Sequence, residues 1–411
     1  MKQRPDIVYY TLFPWEQPFS SVSLSLTRAL SKEARVFYLN PPYTWKDWLR
    51  RRQEPLTRRR SRNMALGRNH YEQIPGLDGV VAVQPPPVIP INFLPEGKIY
   101  RAFYHLNRRI MWGAVKQLVS DYGLRDFIFF NCYNPYYIGV LPGQSGVRLN
   151  VYHCVDEMAE EPYTARHGAR LEREVIRQAD LVFATSRGLL RKCQQLNRRA
   201  FPLFNAADTS LFETALQAQP RPAMLQQLQG PIIGFTGNMD PHRIDYELLA
   251  QLAQAHADKH LVLVGPVNSD GPRRTGLYDM PNVHFAGPQP LQDLPAWLHH
   301  FDVAIIPFAI NKLTAGIYPL KINEYLAAGR AVVATRFSDD IASFEDHIYL
   351  AADRAEFIRL IDRAVAEDSE QKRQLRRQVA RENDWNSRAR QFWQAIESCL
   401  GTLKPTTSTL T

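Results

Sequence analysis

Short apolar runs recur along this chain, each followed by a turn and a longer stretch with helical spacing. In the first half the runs are residues 6–12, 36–40, 80–87, 127–131, 149–155 and 181–184. In the second half they are 232–235, 261–264, 283–286, 303–308, 331–335 and 348–351. Runs this short and this uniformly apolar read as strands covered on both faces, the habit of parallel sheets. Helical periodicity fills the intervals at 24–32, 100–122, 166–178 and 187–196, with Ser186 as a cap for the last. It returns at 244–256, 291–300, 319–328, 355–366, 371–382 and 387–400. This alternation predicts an α/β protein made of doubly wound units. The pattern lapses at 213–230, a stretch rich in Gln, Ala and Pro that marks a boundary. It lapses again at 43–68, where Trp45, Trp48 and Leu49 stand among Lys46, Arg50, Arg51, Arg52, Arg58, Arg59, Arg60 and Arg62. That stretch reads as a basic loop, either plainly solvated or lying on anionic lipid through Trp45–Arg62.

The sharpest unit runs from 303 to 335. A buried strand is followed by a loop over 309–318, and Pro319 is expected at the first helical position, where its missing N–H costs nothing. Gly329 ends the helix and the next strand begins at Ala331. Lys321 and Glu324 are three apart and share a face near the helix start, while Ile322, Tyr325 and Leu326 face the sheet. A helix N-terminus at the end of a parallel strand attracts anions. A cation and a carboxylate beside it suit a phosphate and a ribose hydroxyl pair; the same spacing also occurs in ordinary solvated ion pairs.

Charge agrees with an anionic partner. The chain has 411 residues, 50 Lys and Arg against 41 Asp and Glu, a net charge of +9 and a pI near 9.3. No nucleic-acid motif accompanies the basic loop, so nucleic acid is not expected as a partner. Cys132, Cys154, Cys193 and Cys399 lack metal-ligand or redox spacing and are expected to be buried and reduced, which points to the cytosol. The N-terminus meets acid and proline too early for a signal peptide, no apolar run suits a membrane span, and the polar residues after 400 are expected to be disordered.

A second candidate turn is GFTGNMDPHRID, residues 234–245. It is neither a dinucleotide fingerprint nor a P-loop. Its strand, glycine turn and helix suit close backbone approach to a phosphate, and Arg243 is the cation best matched to a diphosphate, although a surface arginine fits the position too. In the first half, VYHCVDEM (residues 151–158) ends a strand with Asp156 and Glu157. Asp156 is a candidate to take a proton, or else to cap the next segment.

Taken together, these pieces resemble the GT-B fold glycosyltransferases of the broad family 4 group (glycosyl transferases group 1), closest to those of bacterial exopolysaccharide and teichuronic acid synthesis. The resemblance rests on IIGFTGN with HRID, LVLVGP, NVHFAG, DVAIIPF and PLKINEYLAAGRAVVAT, in that order, and on NAADTSLF (residues 205–212), which is similar to the group's interdomain turn. It implies two Rossmann-like doubly wound domains facing across a cleft. Their expected bounds are 1–212 for the acceptor side, 213–230 for the linker and 231–385 for the nucleotide-sugar side. A helix at 386–400 would pack back on the first domain, with a tail at 401–411.

The implied activity is sugar transfer from a nucleotide-diphosphate sugar to a glycan or lipid-linked acceptor at the cytoplasmic membrane face. A nucleotide-sugar-binding subunit with degraded catalysis and a sugar-nucleotide epimerase remain alternatives. The resemblance implies retention of configuration, no cofactor and no metal, and the chain has no Asp-x-Asp. It places Gly237, Asn238, Arg243, Gly316, Ile317, Lys321 and Glu324 around the donor. Glu324 matches the second glutamate of the group's E-x7-E motif, on the ribose; the first falls on Gly316. Asn238 and Arg243 occupy the usual places of two diphosphate cations, so one is lost and Lys321 is its substitute. The base is expected near His284 and Phe285, chiefly through backbone, and the group's N-domain histidine corresponds to the region of His153 and Asp156.

Overall fold

The computed structural model describes residues 4–16, 21–160 and 162–402. The tail expected to be disordered lies almost wholly outside them. By contact the chain divides into two units: unit 1 comprises Met1–Thr185, Leu189–Leu203 and Ala389–Thr411, and unit 2 comprises Ser186–Gly188 and Phe204–Arg388.

Unit 1 is built on eight strands: β1 (Ile7–Thr11), β2 (Val36–Leu39), β3 (His70–Gln73), β4 (Val80–Gln84), β5 (Phe127–Cys132), β6 (Val147–Cys154), β7 (Leu181–Ala184) and β8 (Ala200–Pro202). Their order is β3-β4-β2-β1-β5-β6-β7-β8, and every pairing is parallel except β3 with β4. The central strands are apolar throughout because both faces are covered: Ile7, Val8, Tyr9 and Tyr10 are each fully buried. The C-terminal helix Trp385–Thr402 contributes to this unit from Ala389 on, with Phe392 against Phe130 and Phe183.

Four helices of unit 1 matter below: α1 (Val22–Leu30), α2 (Trp45–Arg51), α3 (Pro55–Ala65) and α4 (Lys98–Tyr122). Two of them correct the sequence reading, since 43–68 is not a loop. The inward face of α3 is Thr57, Arg60 and Met64, an i, i+3, i+7 spacing that hydropathy does not register. Arg60 is fully buried, bonds Glu16, Glu72 and Gln84, and holds α3 against β3 and β4. It is therefore not available to lipid.

Unit 2 has six strands: β9 (Ile232–Thr236), β10 (His260–Val264), β11 (Val283–Gly287), β12 (Val303–Ile306), β13 (Ala331–Thr335) and β14 (Tyr349–Ala351). They are ordered β11-β10-β9-β12-β13-β14 and all pair in parallel. The chain winds one way from β9 and the other way from β12, so the loops leaving these two strands diverge and open a crevice. Two details differ from expectation. The loop after β12 contains a one-turn helix, Lys312–Ala315, closed by an Asn311–Thr314 capping box. Pro319 is the cap rather than the first residue of the helix Leu320–Ala327.

Candidate functional site

At the switch point of unit 2 the chain leaves β9 through Gly237, at φ 135°, a conformation that favours glycine. A second requirement is space. A Cβ added at Gly237 would lie 2.1 Å from Lys321 Cε and 2.3 Å from its Nζ. Gly265, at the end of β10, has φ 146°, and a Cβ there would strike the Gly237 carbonyl oxygen at 1.9 Å. The turn is thus a close-packed floor of backbone, with the Gly237 N–H held by the Val264 carbonyl at 2.7 Å.

The turn and the β12 loop are fastened together. Ala309 N donates to the Arg243 carbonyl at 2.8 Å, and Asn311 Nδ2 donates to the His242 carbonyl at 2.9 Å. Across from them, the helix Leu320–Ala327 is pinned to β9: the Thr236 N–H donates to the Tyr325 hydroxyl oxygen at 2.9 Å. Asn205 Nδ2 donates to the Tyr318 carbonyl at 3.1 Å and steadies the entry to that helix. Tyr325 and Asn205 are positioning residues whose role the sequence reading missed. A tyrosine on an apolar helix face carries a hydroxyl that needs a partner when buried, and this was the available signal.

Lys321 and Glu324 emerge from that helix into partly buried positions. Among the described residues, neither charged group has a hydrogen bond or ion pair within 4.0 Å; the Lys321 ammonium sits 5.7 Å above the Phe235 ring. Burial lowers the Lys321 pKa, with Glu324 opposing and Arg243 adding to the drop. Burial raises the Glu324 pKa, and Lys321 pulls it back. Two cations near enough to repel, over a glycine floor, form a place that gains from a doubly charged anion. The carboxylate beside them can accept hydrogen bonds from vicinal hydroxyls.

The remaining residues named from sequence are distributed unevenly. Asn238 is exposed and accepts from Asn268 Nδ2 at 3.3 Å. Gly316 caps the one-turn helix at φ −89°, and Ile317 follows it, its carbonyl accepting from Ser338 Oγ at 3.0 Å. His284 turns to His260, with its Nε2 3.1 Å from His260 Nδ1, toward the strand starts rather than the crevice. Phe285 packs on Tyr278 with ring centroids 4.7 Å apart.

In unit 1, His153 is 1% exposed, with its Nδ1 3.8 Å from Cys132 Sγ. Burial lowers its pKa to about 4. It is a neutral core residue, enclosed from solutes. Asp156 follows the end of β6 and is partly buried. Its neighbour Glu157 accepts from Lys192 Nζ at 2.7 Å, and Lys192 also reaches the fully buried Glu172 at 3.0 Å. A cavity of about 320 Å³ opens where β1 and β5 end, lined among others by Tyr10, Val88, Phe93, Asn134 and Tyr136.

Residues 230–367 match the family described as Glycosyl transferases group 1. Over 230 residues the chain is 26% identical to a putative teichuronic acid biosynthesis glycosyltransferase, TuaH, of Bacillus subtilis. That alignment takes in 54% of this chain and 57% of the relative, little more than half of its length. Among solved structures, Anabaena Alr3699/HepE in complex with UDP is similar over 96% of this chain and all of that one, with a TM-score of 0.64 and 14% identity. Trehalose-6-phosphate from E. coli bound with UDP-2-fluoro glucose is similar over 97% of this chain and all of that one, with a TM-score of 0.67 and 13% identity.

Proposed function

We propose that this chain, which carries a glycosyl transferases group 1 domain within a two-domain GT-B fold, transfers a sugar from a nucleoside-diphosphate sugar to a glycan or lipid-linked acceptor. One observation carries the reading. Gly237, Arg243, Lys321 and Glu324 converge at the switch point of unit 2, and the two side chains of the helix Leu320–Ala327 have no partner within 4.0 Å among the described residues. The diphosphate lies against the Gly237 turn between Arg243 and Lys321, and Glu324 accepts from the ribose hydroxyls. The two similar structures that hold UDP or a UDP sugar favour uridine as the base. The TuaH likeness favours an acceptor in bacterial surface polysaccharide synthesis.

The chemistry asks the protein for positioning and for stabilisation of a departing diphosphate. The cations and the crevice backbone supply this. We assign retention, transfer without a metal ion, and a role for Asp156 in orienting the sugar or taking the acceptor's proton. Asp156→Asn keeps the shape and removes the charge. Turnover should fall ~10²-fold with donor affinity unchanged.

Titration calorimetry tests the donor site. Arg243→Met and Lys321→Met should each weaken UDP by about 10–100-fold while leaving uridine within a few-fold. Equal losses for UDP and uridine would show that neither cation faces the phosphates. A second reading, a nucleotide-sugar-binding subunit with weak catalysis, is favoured by Gly316, which stands where the resemblance puts a donor-sugar glutamate. Its φ of −89° suits any residue, and an added Cβ would meet only the Leu313 carbonyl at an ordinary 3.5 Å. Gly316→Glu should therefore fold normally. A large gain in turnover would support the second reading, and no gain would support the first.

A further inference from the structure

The helix α4 carries two apolar faces, and the fold uses one. Tyr100, Asn107, Met111, Ala114, Val115 and Leu118 are buried in unit 1. On another side Ile99 is 67% exposed, Phe103 39% and Leu106 44%, an i, i+4, i+7 stripe two turns long. Phe93, just before the helix, is 67% exposed. Large apolar side chains grouped in this way, rather than scattered, mark a surface that something covers.

Charge decides what covers it. Residues 98–120 contain Lys98, Arg101, Arg108, Arg109 and Lys116 and no Asp or Glu. Glu96, which precedes them, is already engaged by Arg101 at 3.9 Å and Arg170 at 3.2 Å. A second copy of the chain seated here would set these cations against their own equivalents. An anionic bilayer instead takes the apolar stripe into its interface. The long side chains of Lys98, Arg109 and Lys116, roughly a quarter-turn from the stripe at about 100° per residue, reach its headgroups, while Arg101 and Arg108 lie on the far side. Among the described residues no helix is long and apolar enough to cross a membrane, so the association is one of lying on the surface. The helix α2 is near the same ground: its Lys46 and Asp47 line the 320 Å³ cavity with Phe93, and Trp45 and Leu49 are 41% and 52% exposed.

We infer that unit 1 docks on anionic membrane through the Ile99–Phe103–Leu106 face of α4, with Phe93 beside it. This does not depend on the donor reading. The test is flotation of the full chain with vesicles of phosphatidylcholine alone or mixed with phosphatidylglycerol, at low and high salt. The wild type should float with the mixed vesicles, less so at high salt. Ile99→Ser/Phe103→Ser/Leu106→Ser should lower the bound-to-free ratio by about tenfold or more. These positions are exposed, so an unchanged melting temperature and unchanged UDP binding show that the fold and the donor site are intact. Trp45→Ser/Leu49→Ser should lose less. The inference is overturned if the wild type floats no better with anionic than with neutral vesicles, or if the α4 variant floats like the wild type. It is also overturned if the α2 variant loses as much as the α4 variant, or if the wild type ignores vesicles and the stripe instead supports a dimer.

Discussion

Glu324 and Lys321 hold ionisable groups where burial disfavours their charges, and this gives a stability test separate from ligand binding. The Glu324 pKa is raised in the folded state, so its stabilising contribution belongs to the protonated form. That contribution is present at acid pH and is lost as pH rises through the folded value. Glu324→Gln removes the cost of the charge. Without ligand its melting temperature at pH 7 should exceed that of the wild type, and the gap should close toward pH 4, while UDP affinity falls about 10–100-fold. A variant that is less stable at pH 7, or that binds UDP normally, would remove Glu324 from the site. His153 gives the opposite slope. Its folded pKa of about 4 lies below the ordinary histidine value, so the unfolded chain takes up a proton that the folded chain refuses. Stability should fall between about pH 6.5 and 4, by about 3 kcal/mol in full. Denaturant titrations at pH 7 and 4.5 should show that His153→Leu loses this part of the acid slope; an unchanged slope would mean the imidazole is not held neutral in the core.

At the scale of elements, the glycine turn after β9 and the helix Leu320–Ala327 act as one piece, because Lys321 lies where a Gly237 side chain would be. Gly237→Ala both strains a backbone at φ 135° and displaces the lysine. It should cost about 1–3 kcal/mol of stability and weaken UDP about as much as Lys321→Met does. Combining the two changes should add little further loss in binding, since both remove the same ammonium. Additive losses in calorimetry would separate the turn from the lysine.

At the scale of the molecule, the two units each have a sheet of their own, and the candidate donor site belongs to unit 2 alone. Scanning calorimetry should resolve two transitions, and saturating UDP should raise only the one belonging to unit 2, by mass action. A single transition shifted as a whole would show the units to unfold together. Trp385–Thr402 begins in unit 2 and completes unit 1 with Phe392, so ending the chain before Ala389 should lower the other transition and spare UDP binding.

The sequence by itself determined most helices and every strand of both units except β3 and β8, two short strands whose side chains are mostly not buried. Apolar runs and helical spacing report burial directly, and here burial follows the elements. It also put forward Arg243, Lys321 and Glu324 as candidates, because they stand on turns and helix starts whose strands were legible. It could not reveal α3, whose buried face is made of Thr57, Arg60 and Met64, since a buried arginine looks like a surface one until Glu16 and Glu72 are brought to it. Nor could it separate Asp156 from His153, two and five residues before Met158 on the same stretch; only the sheet decides that the histidine is enclosed. The glycine at 237 and the lysine at 321 are 84 residues apart in sequence. Their contact, and the crevice it floors, follows from the strand order β9-β12, which long-range pairing fixes and local pattern does not.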